Sequence, residues 1–468
     1  MGAALVNGGF ALPPRRMTIN LAPADVRKDG TAFDLPIALG VLAATGQVPP
    51  DAIARRLFVG ELGLDGSVRA VRGALPLAQL VASSGDIDAL VLPRANVAEA
   101  ARVSGVRLAA PGDLGELVRW LCNGGLPDPP CPVRATVAVT PDLDWSDVAG
   151  QAAAKRALEI AAAGGHNVLL VGPPGSGKTM LARRLTGILP PLSESEALQI
   201  IAIASVAGIL TEDVLADPRR PFRAPHHTTS AAGLIGGGSP PRPGEVSLAH
   251  HGVLFLDEML EFPRHILDGL RQPMEDGYVV IARAAIAVRF PASFSLVAAT
   301  NPCPCGNAGN ARGVCTCTPT DARRYRARLS GPLADRIDLH VQVPSLPLVE
   351  LGRADVGGSS ALVRERVASA HARQAVRYAR HARARRNAHV AGRWLDSHTP
   401  VHPEARAILL RASSRLGLSA RGYHRVLKVA RTIADLDGEA GIAPQQISEA
   451  LRFRPAAAEG SSALPRNF

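Results

Sequence analysis

An eight-residue segment, residues 172–179, constrains the fold of this chain more than any other part of the sequence. Its letters, GPPGSGKT, fit the phosphate-binding pattern G-x-x-x-x-G-K-[ST]. The apolar run VLLV stands directly before it, and MLARRL follows it with the apolar spacing of a helix. A strand, a glycine-rich loop and a helix in this order predict an α/β nucleotide-binding core.

The chemistry of such a loop gives each residue type a role. Its glycines let successive backbone N–H groups turn toward a polyphosphate, and the following helix adds the positive end of its dipole. Lys178 is expected to reach the β- and γ-phosphates of ATP, and the Thr179 hydroxyl to ligate Mg²⁺. The predicted nucleotide-binding residues are Gly172, Pro173, Pro174, Gly175, Ser176, Gly177, Lys178 and Thr179.

A second segment, residues 252–258, supports the same prediction. Its sequence, GVLFLDE, is an apolar strand that ends in two acids. A neighbouring parallel strand would bring these carboxylates beside the phosphates, where Asp257 would hold Mg²⁺ through water and Glu258 would polarise the attacking water. Two acids at a strand end are by themselves typical of a solvated turn. Together with the phosphate loop they predict a Walker B motif.

The length and charge of the chain limit the classes of protein it can represent. A chain of 468 residues exceeds a single hydrophobic core and indicates about two to four domains. The formal net charge of +11 favours a polyanionic partner but does not distinguish DNA, RNA and ATP. No apolar run reaches the roughly 18 residues of a membrane-spanning helix, and no signal-peptide pattern opens the sequence. We therefore expect a cytoplasmic protein without a membrane partner.

Residues 1–122 alternate short apolar runs with helical stretches and predict an α+β domain. We expect strands at residues 17–21 and 57–62 and helices at residues 35–44 and 74–83. Five prolines indicate that residues 123–143 form an extended linker. The predicted ATPase core, residues 144–345, follows the linker, with its first helix at about residues 151–163.

The first of these regions resembles the ribosomal-S5-type domain of Lon proteases. The resemblance rests on RKDG at 27–30, DLPIAL at 34–39, GEL at 60–62 and GSV at 66–68. It puts Ala32 at the position of the protease nucleophile and Leu75 at that of its lysine, and a dyad without those side chains cannot form an acyl-enzyme. Thr31 or Ser67 is the alternative nucleophile, although no base is evident. We therefore expect an inactive domain, and one that is shortened at its N-terminus because the opening strands of the family have no evident counterpart here.

The segment between the two ATP motifs contains adjacent histidines, His226 and His227, and a glycine run at 236–238. No Cys, Asp or Glu stands at ligand spacing nearby, which favours a structural or hydrogen-bonding role in a mobile insertion over a metal site. After the Walker B motif, residues 278–283 and 285–290 predict two strands with a tight turn at Ala284, which would form a projecting hairpin.

Two polar positions after this hairpin fit an ATPase site shared between subunits. A third strand, residues 293–299, ends at Thr300 and Asn301, where a γ-phosphate sensor would stand. In the segment SGPLADRID, residues 330–338, Arg336 is suited to reach the phosphate of a neighbouring subunit. An arginine after an aspartate is usually a surface ion pair, and its place in this ordered set favours the functional role.

The C-terminal region, residues 346–468, is predicted to be helical and basic. Residues 364–393 hold nine arginines and one acid, Glu365. Such a run is typical of a solvated helix face, and nucleic-acid contact is the alternative. Residues 419–425, SARGYHR, begin a further helix that carries Arg421.

The ordered set of motifs resembles the ComM/YifB group of magnesium-chelatase-like AAA+ ATPases. The resemblance is carried by residues 172–179, FRAPHH at 222–227, residues 252–258, NPCP at 301–304, residues 330–338 and residues 419–425. It implies a hexameric ring that hydrolyses ATP between subunits, with Arg336 as arginine finger, Asn301 as sensor 1 and Arg421 as sensor 2. It also implies a degenerate Lon-like N-terminal domain, a C-terminal helical lid, and branch migration of DNA in recombination and natural transformation, with recombination proteins as partners.

Two classes of function remain open at this stage. A DNA motor would thread the strand past the predicted hairpin, with Arg283 following the backbone and arginines between Arg377 and Arg386 holding a duplex arm. A chelatase-type chaperone would use the same ring to remodel a protein partner. The net charge and the arginine-rich segment favour the motor, whereas a pore lined by aromatic residues would favour the chaperone.

Four of the six cysteines form two C-x-C pairs, namely Cys303, Cys305, Cys315 and Cys317. The spacing between the pairs lets a loop close a tetrahedral Cys₄ zinc site. Free thiols in a reduced loop are the alternative, since C-x-C is tighter than the usual C-x₂-C. The sequence alone leaves both interpretations open.

Overall fold

The computed structural model describes residues 1–12, 14, 16–22, 30–129, 143–283, 286–309, 313–329, 331–346, 358–381 and 384–454. Among these residues no helix is both long enough and apolar enough to cross a bilayer. The predicted linker and the junction before the C-terminal helices fall partly on residues 130–142 and 347–357, outside the described ranges.

Residues 1–122 form a small unit of short strands and helices. The strands are β1 (Arg56–Phe58), β2 (Glu61–Leu62), β3 (Val68–Arg69), β4 (Ala89–Val91) and β5 (Leu108–Ala109). The helices are α1 (Gly2–Asn7), α2 (Asp34–Ala44), α3 (Pro50–Ile53), α4 (Ala74–Ser83), α5 (Val97–Ala100) and α6 (Leu114–Cys122). A parallel sheet runs in the order β1–β4–β5, and β2 pairs with β3. The helices predicted at residues 35–44 and 74–83 are confirmed as α2 and α4.

Two strand predictions in this unit were wrong. The run at 57–62 is divided, because β1 pairs in parallel with β4 whereas β2 pairs antiparallel with β3. Residues 17–21 form no strand, and Met17, Ile19 and Leu21 are exposed. An alternating pattern stabilises a strand only where a sheet or a core covers its apolar face. The RKD part of the Lon-like segment, residues 27–29, lies outside the described residues.

The central region is built on five parallel strands. They are β6 (Val168–Val171), β7 (Phe222–Arg223), β10 (Val253–Leu256), β13 (Ser295–Thr300) and β14 (Leu339–Gln342), in the order β14–β6–β13–β10–β7. Their nearly continuous apolar sequences suit parallel strands that are buried on both faces. Because side chains alternate along a strand, Val168 and Leu170 pack under the helices on one face, while Leu169 packs into a second core on the other.

Helices and two small antiparallel ribbons complete this region. The helices are α7 (Ala152–Gly164), α8 (Lys178–Ile188), α9 (Glu194–Ala207), α10 (Glu212–Ala216), α11 (Ala231–Ile235), α12 (Glu245–Leu248), α13 (Arg264–Asp268), α14 (Arg271–Asp276), α15 (Pro319–Arg326) and α16 (Gly331–Ala334). The ribbons are β8 (Gly236–Gly237) with β9 (Arg242–Pro243), and β11 (Tyr278–Arg283) with β12 (Ile286–Pro291). The second ribbon confirms the predicted hairpin, whose turn at Ala284 lies outside the described residues.

The hairpin β11–β12 has one buried and one exposed face. Val279, Ile281 and Phe290 are buried in the core on that side of the sheet. Ile281 also packs against Gly236, where its Cδ1 atom lies 2.5 Å from the position that a Cβ would take. Val280 and Arg289 face outward. The hairpin is therefore anchored at its base and leaves a surface free for contact.

The C-terminal region is helical, as predicted. Its helices are α17 (Ser360–Arg377), α18 (Gly392–His398), α19 (Pro403–Leu416), α20 (Ala420–Asp437) and α21 (Pro444–Arg452). Ser419 caps α20 by accepting a hydrogen bond from the backbone N–H of Gly422. Helices α17 and α20 pack on α7, and one continuous apolar cluster joins these helices to β6. The lid and the central sheet therefore share one hydrophobic core.

A buried polar network also crosses this junction. His166, which is fully buried, contacts Asp338 Oδ2 through Nδ1 at 3.0 Å and Thr432 Oγ1 through Nε2 at 2.8 Å. The side chain of Gln374 donates to the carbonyl of Ala163 at 2.9 Å. These contacts join α20 and α17 to the start of β6 and to the end of α7.

The N-terminal unit docks on the helices that follow α8. The backbone N–H of Gly73 donates to Ser205 Oγ on α9 at 2.9 Å, and Arg102 donates to the carbonyl of Leu215 on α10. Arg72 also packs against Gly208, at the end of α9. The contact surface is thus formed by α4, its preceding loop and Arg102 on one side and by α9 and α10 on the other.

Candidate nucleotide-binding site

The predicted phosphate loop connects β6 to α8 at the carboxyl end of the parallel sheet. Gly177 caps α8 with φ of 88°, a left-handed conformation that other residues rarely adopt. A Cβ on Gly172 would lie 2.1 Å from the carbonyl oxygen of Val343, so only glycine fits beside the neighbouring strand. The backbone therefore requires glycine at two of the positions that the sequence pattern specifies.

Lys178 lies inside this loop. It is buried, and its Nζ donates to the carbonyl oxygens of Gly172 and Pro173 at 2.7 and 2.8 Å. Burial lowers the pKa of Lys178, while the carboxylates of Asp257 and Glu258 oppose that shift. The ammonium group is thus held within the loop by carbonyl oxygens, next to two acids.

The two predicted Walker B acids follow β10, two strands from β6 in the sheet. Thr179 Oγ1 donates to Asp257 Oδ2 at 2.8 Å, so the two predicted magnesium ligands are already in contact. The backbone N–H of Glu258 donates to Asp257 Oδ1 at 3.0 Å. Glu258 itself has φ of 49° and a side chain that is 53% exposed. This unusual backbone conformation turns its carboxylate away from the core and leaves it accessible to water.

Asn301 directly follows β13, the strand between β6 and β10. Its Oδ1 lies 3.4 Å from Lys178 Nζ, so the structure brings the predicted sensor to the phosphate loop. Gln151, which sequence reasoning did not single out, has φ of 55° and donates to the carbonyls of Ser176 and Pro344. It fixes the underside of the loop to the segment after β14.

His227 is a second residue whose position the sequence did not reveal. Its Nδ1 lies 3.7 Å from Glu258 Oε2, and its ring packs edge-on against Phe262. Strand β7 pairs with β10, so the loop that follows β7 passes the carboxyl end of β10. His226 instead contacts Thr228 Oγ1 through Nδ1 at 2.9 Å. The expectation of a hydrogen-bonding role fits His226, while His227 stands beside the Walker B glutamate.

The four clustered cysteines come together directly after Asn301. Their sulfur atoms all lie within 4.8 Å of one another, which is close enough to hold one metal ion. Cys303 is buried, and the other three are partly exposed. The structure thus favours the predicted metal site over four dispersed thiols, without identifying the ion.

Arg336 lies at the other end of the sheet from its own phosphate loop. Its carbonyl accepts a hydrogen bond from Asn167, the residue before β6, at 3.0 Å. Its guanidinium pairs with Glu275 and donates to the carbonyl of Pro332, and its side chain is 18% exposed. The strand β6 therefore separates Arg336 from Lys178 within this chain.

Arg421 is on the same side of the molecule as Arg336. The side chain of Arg421 is 71% exposed and lies 4.0 Å from Asp335, the neighbour of Arg336 in the chain. Arg425, one turn further along α20, lies between Asp335 and Asp338. The predicted arginine finger and the predicted sensor 2 arginine therefore occupy one surface, opposite the phosphate loop.

The prediction for the arginine-rich segment, residues 364–393, needs a correction. Arg377 makes a two-pronged ion pair with the fully buried Asp435, and Arg386 contacts the imidazole of His371. Arg364 donates to the carbonyl of Gly187, and Arg366 pairs with Glu159. Arg377 and Arg386 are therefore engaged within the lid rather than free for a duplex arm, whereas Arg366 is 49% exposed, as expected for a solvated face. Arg380 and Arg385 remain exposed.

The N-terminal unit contains no recognisable peptidase dyad among its described residues. Leu75 is fully buried, and Ala32 packs beside an apolar cluster. Thr31 donates to the carboxylate of Glu61, and Ser67 Oγ donates to Asp65 Oδ1 at 2.6 Å. Neither hydroxyl has a lysine or histidine partner in the part that is described.

Comparison with known proteins agrees with this arrangement. Residues 144–351 match the family model described as "Magnesium chelatase, subunit ChlI", residues 357–454 match its C-terminal counterpart, and residues 1–96 match "Subunit ChlI of Mg-chelatase". The competence protein ComM of Haemophilus influenzae is 43% identical over 464 residues, which cover 97% of this chain and 88% of that protein. The chain belongs to the ComM/YifB family of magnesium-chelatase-like AAA+ proteins.

This ComM/YifB chain is also similar to a second member of its family and, over a shorter part, to a magnesium-chelatase subunit. The uncharacterized protein YifB of Escherichia coli is 43% identical over 465 residues, covering 97% of this chain and 87% of YifB. The magnesium-chelatase 38 kDa subunit of Rhodobacter capsulatus is 27% identical over 187 residues, covering 36% of this chain and 53% of the subunit. The predicted family and the predicted fold class, an AAA+ α/β core with a helical lid, are thereby confirmed.

Proposed function

We propose that this ComM/YifB protein is an ATP-driven motor that acts on DNA as a hexameric ring, as a branch-migration helicase in recombination or natural transformation. The observation that carries the proposal is the assembled set of Lys178, Thr179, Asp257, Glu258 and Asn301 at one end of the parallel sheet. These residues supply a phosphate-binding cation, a magnesium-binding pair, an acid for the attacking water and a polar sensor.

Each of these side chains has a specific part in the proposed reaction. The loop N–H groups and Lys178 bind the β- and γ-phosphates, for which Lys178 exchanges its carbonyl partners for phosphate oxygens. Thr179 and Asp257 would hold Mg²⁺, which would neutralise charge on the phosphates. Glu258, exposed and next to His227, orients the attacking water, and Asn301 contacts the γ-phosphate. The proposed cofactors are ATP and Mg²⁺, with Zn²⁺ as the ion of the cysteine cluster.

The position of Arg336 supports a ring. Strand β6 has four residues, so Arg336 and the phosphate loop are separated by roughly 13 Å of extended chain. An arginine on that surface serves a nucleotide bound to a neighbouring copy more readily than its own. Arg421, on the same surface, would reach the same neighbouring site. A closed ring of identical subunits uses one such head-to-tail contact repeatedly.

The hairpin β11–β12 supports a nucleic-acid substrate. Its exposed face carries Arg289, whose guanidinium lies 3.6 Å from the ring centre of Tyr278. Arg283 is the last residue of β11, and its side chain lies outside the described residues. A hairpin with a basic tip and no exposed aromatic row among its described residues fits a phosphate backbone better than an apolar polypeptide.

The experiment that tests this proposal compares ATP turnover with and without a four-way DNA junction. We expect the junction to stimulate turnover and the protein to move the branch point. Binding should weaken steeply with rising salt and depend little on base sequence, since phosphate contacts dominate. Failure of DNA to stimulate turnover would favour the second candidate, a chelatase-type remodeller of a protein partner, for which the similarity to the magnesium-chelatase subunit is the supporting observation.

A pair of variants separates the hairpin contact from the general effect of charge. Arg283→Ala should leave basal ATP turnover near normal and abolish both its stimulation by DNA and branch movement. Arg411→Ala removes the same charge from an exposed position on the lid helix α19 and is the matched control. Branch movement that persists in Arg283→Ala, or is equally lost in Arg411→Ala, would contradict the role of the hairpin.

A further inference from the structure

We propose that Cys303, Cys305, Cys315 and Cys317 bind one Zn²⁺, and that this zinc site fixes the sensor Asn301 and the phosphate loop relative to one another. The metal site stands on its own geometry. Its effect on ATP turnover rests on the proposed function, because only a hydrolytic site gives Asn301 a sensor role.

The distances among the sulfur atoms of Cys303, Cys305 and Cys315 match the edges of a zinc–thiolate tetrahedron, and Cys317 Sγ lies within 4.8 Å of each of them. Zinc–sulfur bonds of about 2.3 Å in a tetrahedral site put the sulfur atoms about 3.8 Å apart. The distances here are 3.4 Å for Cys303–Cys305, 3.7 Å for Cys303–Cys315 and 3.6 Å for Cys305–Cys315. A disulfide requires about 2.05 Å. The sulfur atoms are thus too far apart for disulfides and suitably placed for a shared ion.

Backbone groups around the cluster are arranged as in a thiolate site. The N–H of Cys305 donates to Cys317 Sγ at 3.4 Å, and the N–H of Ala308 donates to Cys303 Sγ at 3.3 Å. Such donors orient metal ligands and partly neutralise their charge. Four soft sulfur ligands without an oxygen or nitrogen ligand select Zn²⁺ over the hard cations Mg²⁺ and Ca²⁺.

The same loop touches two parts of the nucleotide site. Only Pro302 separates Asn301 from the first metal ligand, Cys303. Gly306, with φ of 79°, lies so close to Pro174 of the phosphate loop that a Cβ would be 2.7 Å from the proline ring. The loop held by the proposed ion therefore contacts both the sensor and the phosphate loop, since the same Cβ on Gly306 would be 3.9 Å from Asn301 Cγ.

The other end of the metal-binding loop is also fixed. Thr318, next to Cys317, caps helix α15 with a capping box to Asp321. At the far end of that helix Tyr325 is buried, and Arg328 donates to the carbonyl of Leu260 near the Walker B segment. The described part of the stretch between these anchors has no helix or strand. A zinc ion would tie this stretch together. Loss of the ion should therefore free Asn301 and Gly306 while leaving the sheet folded.

The first test measures the metal itself. Protein purified without chelator should contain about one zinc per chain by elemental analysis. Replacement by Co²⁺ should give the visible absorption of a tetrahedral thiolate complex. The variant Cys315→Ser/Cys317→Ser should lose both signals, and Cys122→Ser, at an exposed thiol outside the cluster, should keep them. Well below one zinc per chain together with no cobalt spectrum would overturn the site.

The second test measures what the metal does. Loss of zinc in the double variant should lower kcat for ATP by about tenfold to a hundredfold, with a smaller change in ATP affinity. The variant Cys317→His keeps a zinc ligand at this position and should therefore have normal metal content and most of kcat. This control distinguishes loss of zinc from misfolding. Unchanged kcat in a zinc-free, folded double variant would refute the positioning role. No ATP turnover in a zinc-loaded unmodified protein would instead refute the proposed function, while the proposal of a zinc site would still stand.

Discussion

Replacement of Glu258 by glutamine is the sharpest test of the hydrolytic assignment, because the structure predicts effects on rate, binding and stability separately. The carboxylate is 53% exposed, and His227 Nδ1 lies 3.7 Å from its Oε2 atom. Glutamine has the same shape and leaves no buried charge unpaired, so the free energy of unfolding should change by less than about 0.5 kcal/mol. ATP affinity should also be nearly unchanged, since Lys178, Thr179 and Asp257 are intact.

The expected effect on rate is large. An acid that activates or orients the attacking water contributes about 10²- to 10⁴-fold, which corresponds to about 2.7–5.5 kcal/mol of activation free energy. Steady-state phosphate release gives kcat, titration with a fluorescent ATP analogue gives affinity, and thermal unfolding gives stability. Turnover above about a tenth of the normal kcat would refute the assignment of Glu258.

Lys178→Ala is the control that distinguishes a loss of ATP binding from the loss of turnover expected for Glu258→Gln. Lys178 is buried and is expected to form charge-assisted hydrogen bonds to phosphate, each of which contributes about 1.5–3 kcal/mol. Its loss should therefore weaken ATP binding by at least about tenfold, in contrast to Glu258→Gln. Equal ATP affinities in the two variants would show that the loop lysine does not contact the phosphates.

Three further predictions concern the ring, the N-terminal unit and His227. Mixtures of Arg336→Ala and Lys178→Ala subunits should regain part of the activity that each lacks alone, since each supplies the group that the other has lost; an assembled mixture without rescue at any ratio argues against a shared site. The protein should not cleave unfolded polypeptide with ATP, and cleavage that Thr31→Ala abolishes would overturn the inactive assignment. His227→Ala should lower kcat more than it raises KM, because Glu258 loses its neighbour, and His227→Gln should recover part of the loss; a change in KM alone would contradict this.

Local spacing was sufficient to predict the strand, loop and helix around residues 172–179, the strand before Asp257 and the hairpin. In each, the residues that define the element are close together in the chain, and turn chemistry or periodicity determines their conformation. Helix α4 was likewise predicted to the residue, since its apolar positions repeat with helical spacing. The order of these elements also carried the family assignment.

The errors and omissions arose where distant segments decide the outcome. Residues 17–21 have a strand pattern but no partner strand among the described residues, and the run at 57–62 is split by two different partners. His227 meets Glu258 only because β7 lies beside β10 in the sheet, which one-dimensional spacing does not reveal. The arginines of α17 were expected to face solvent or DNA, but acids and carbonyls from α7, α8 and α20 pair with several of them.

The buried network around His166 has a mechanical consequence. Swinging the lid away from the sheet would separate His166 from Thr432 and Gln374 from the carbonyl of Ala163, all inside a shared apolar core. Each buried polar group left without its partner costs about 1–3 kcal/mol, in addition to the apolar surface that would be exposed. We therefore expect the core and the lid of one chain to move together as one rigid body. In the proposed ring, the displacement driven by ATP would then arise at the contacts between neighbouring subunits, to which Arg336 and Arg421 are assigned.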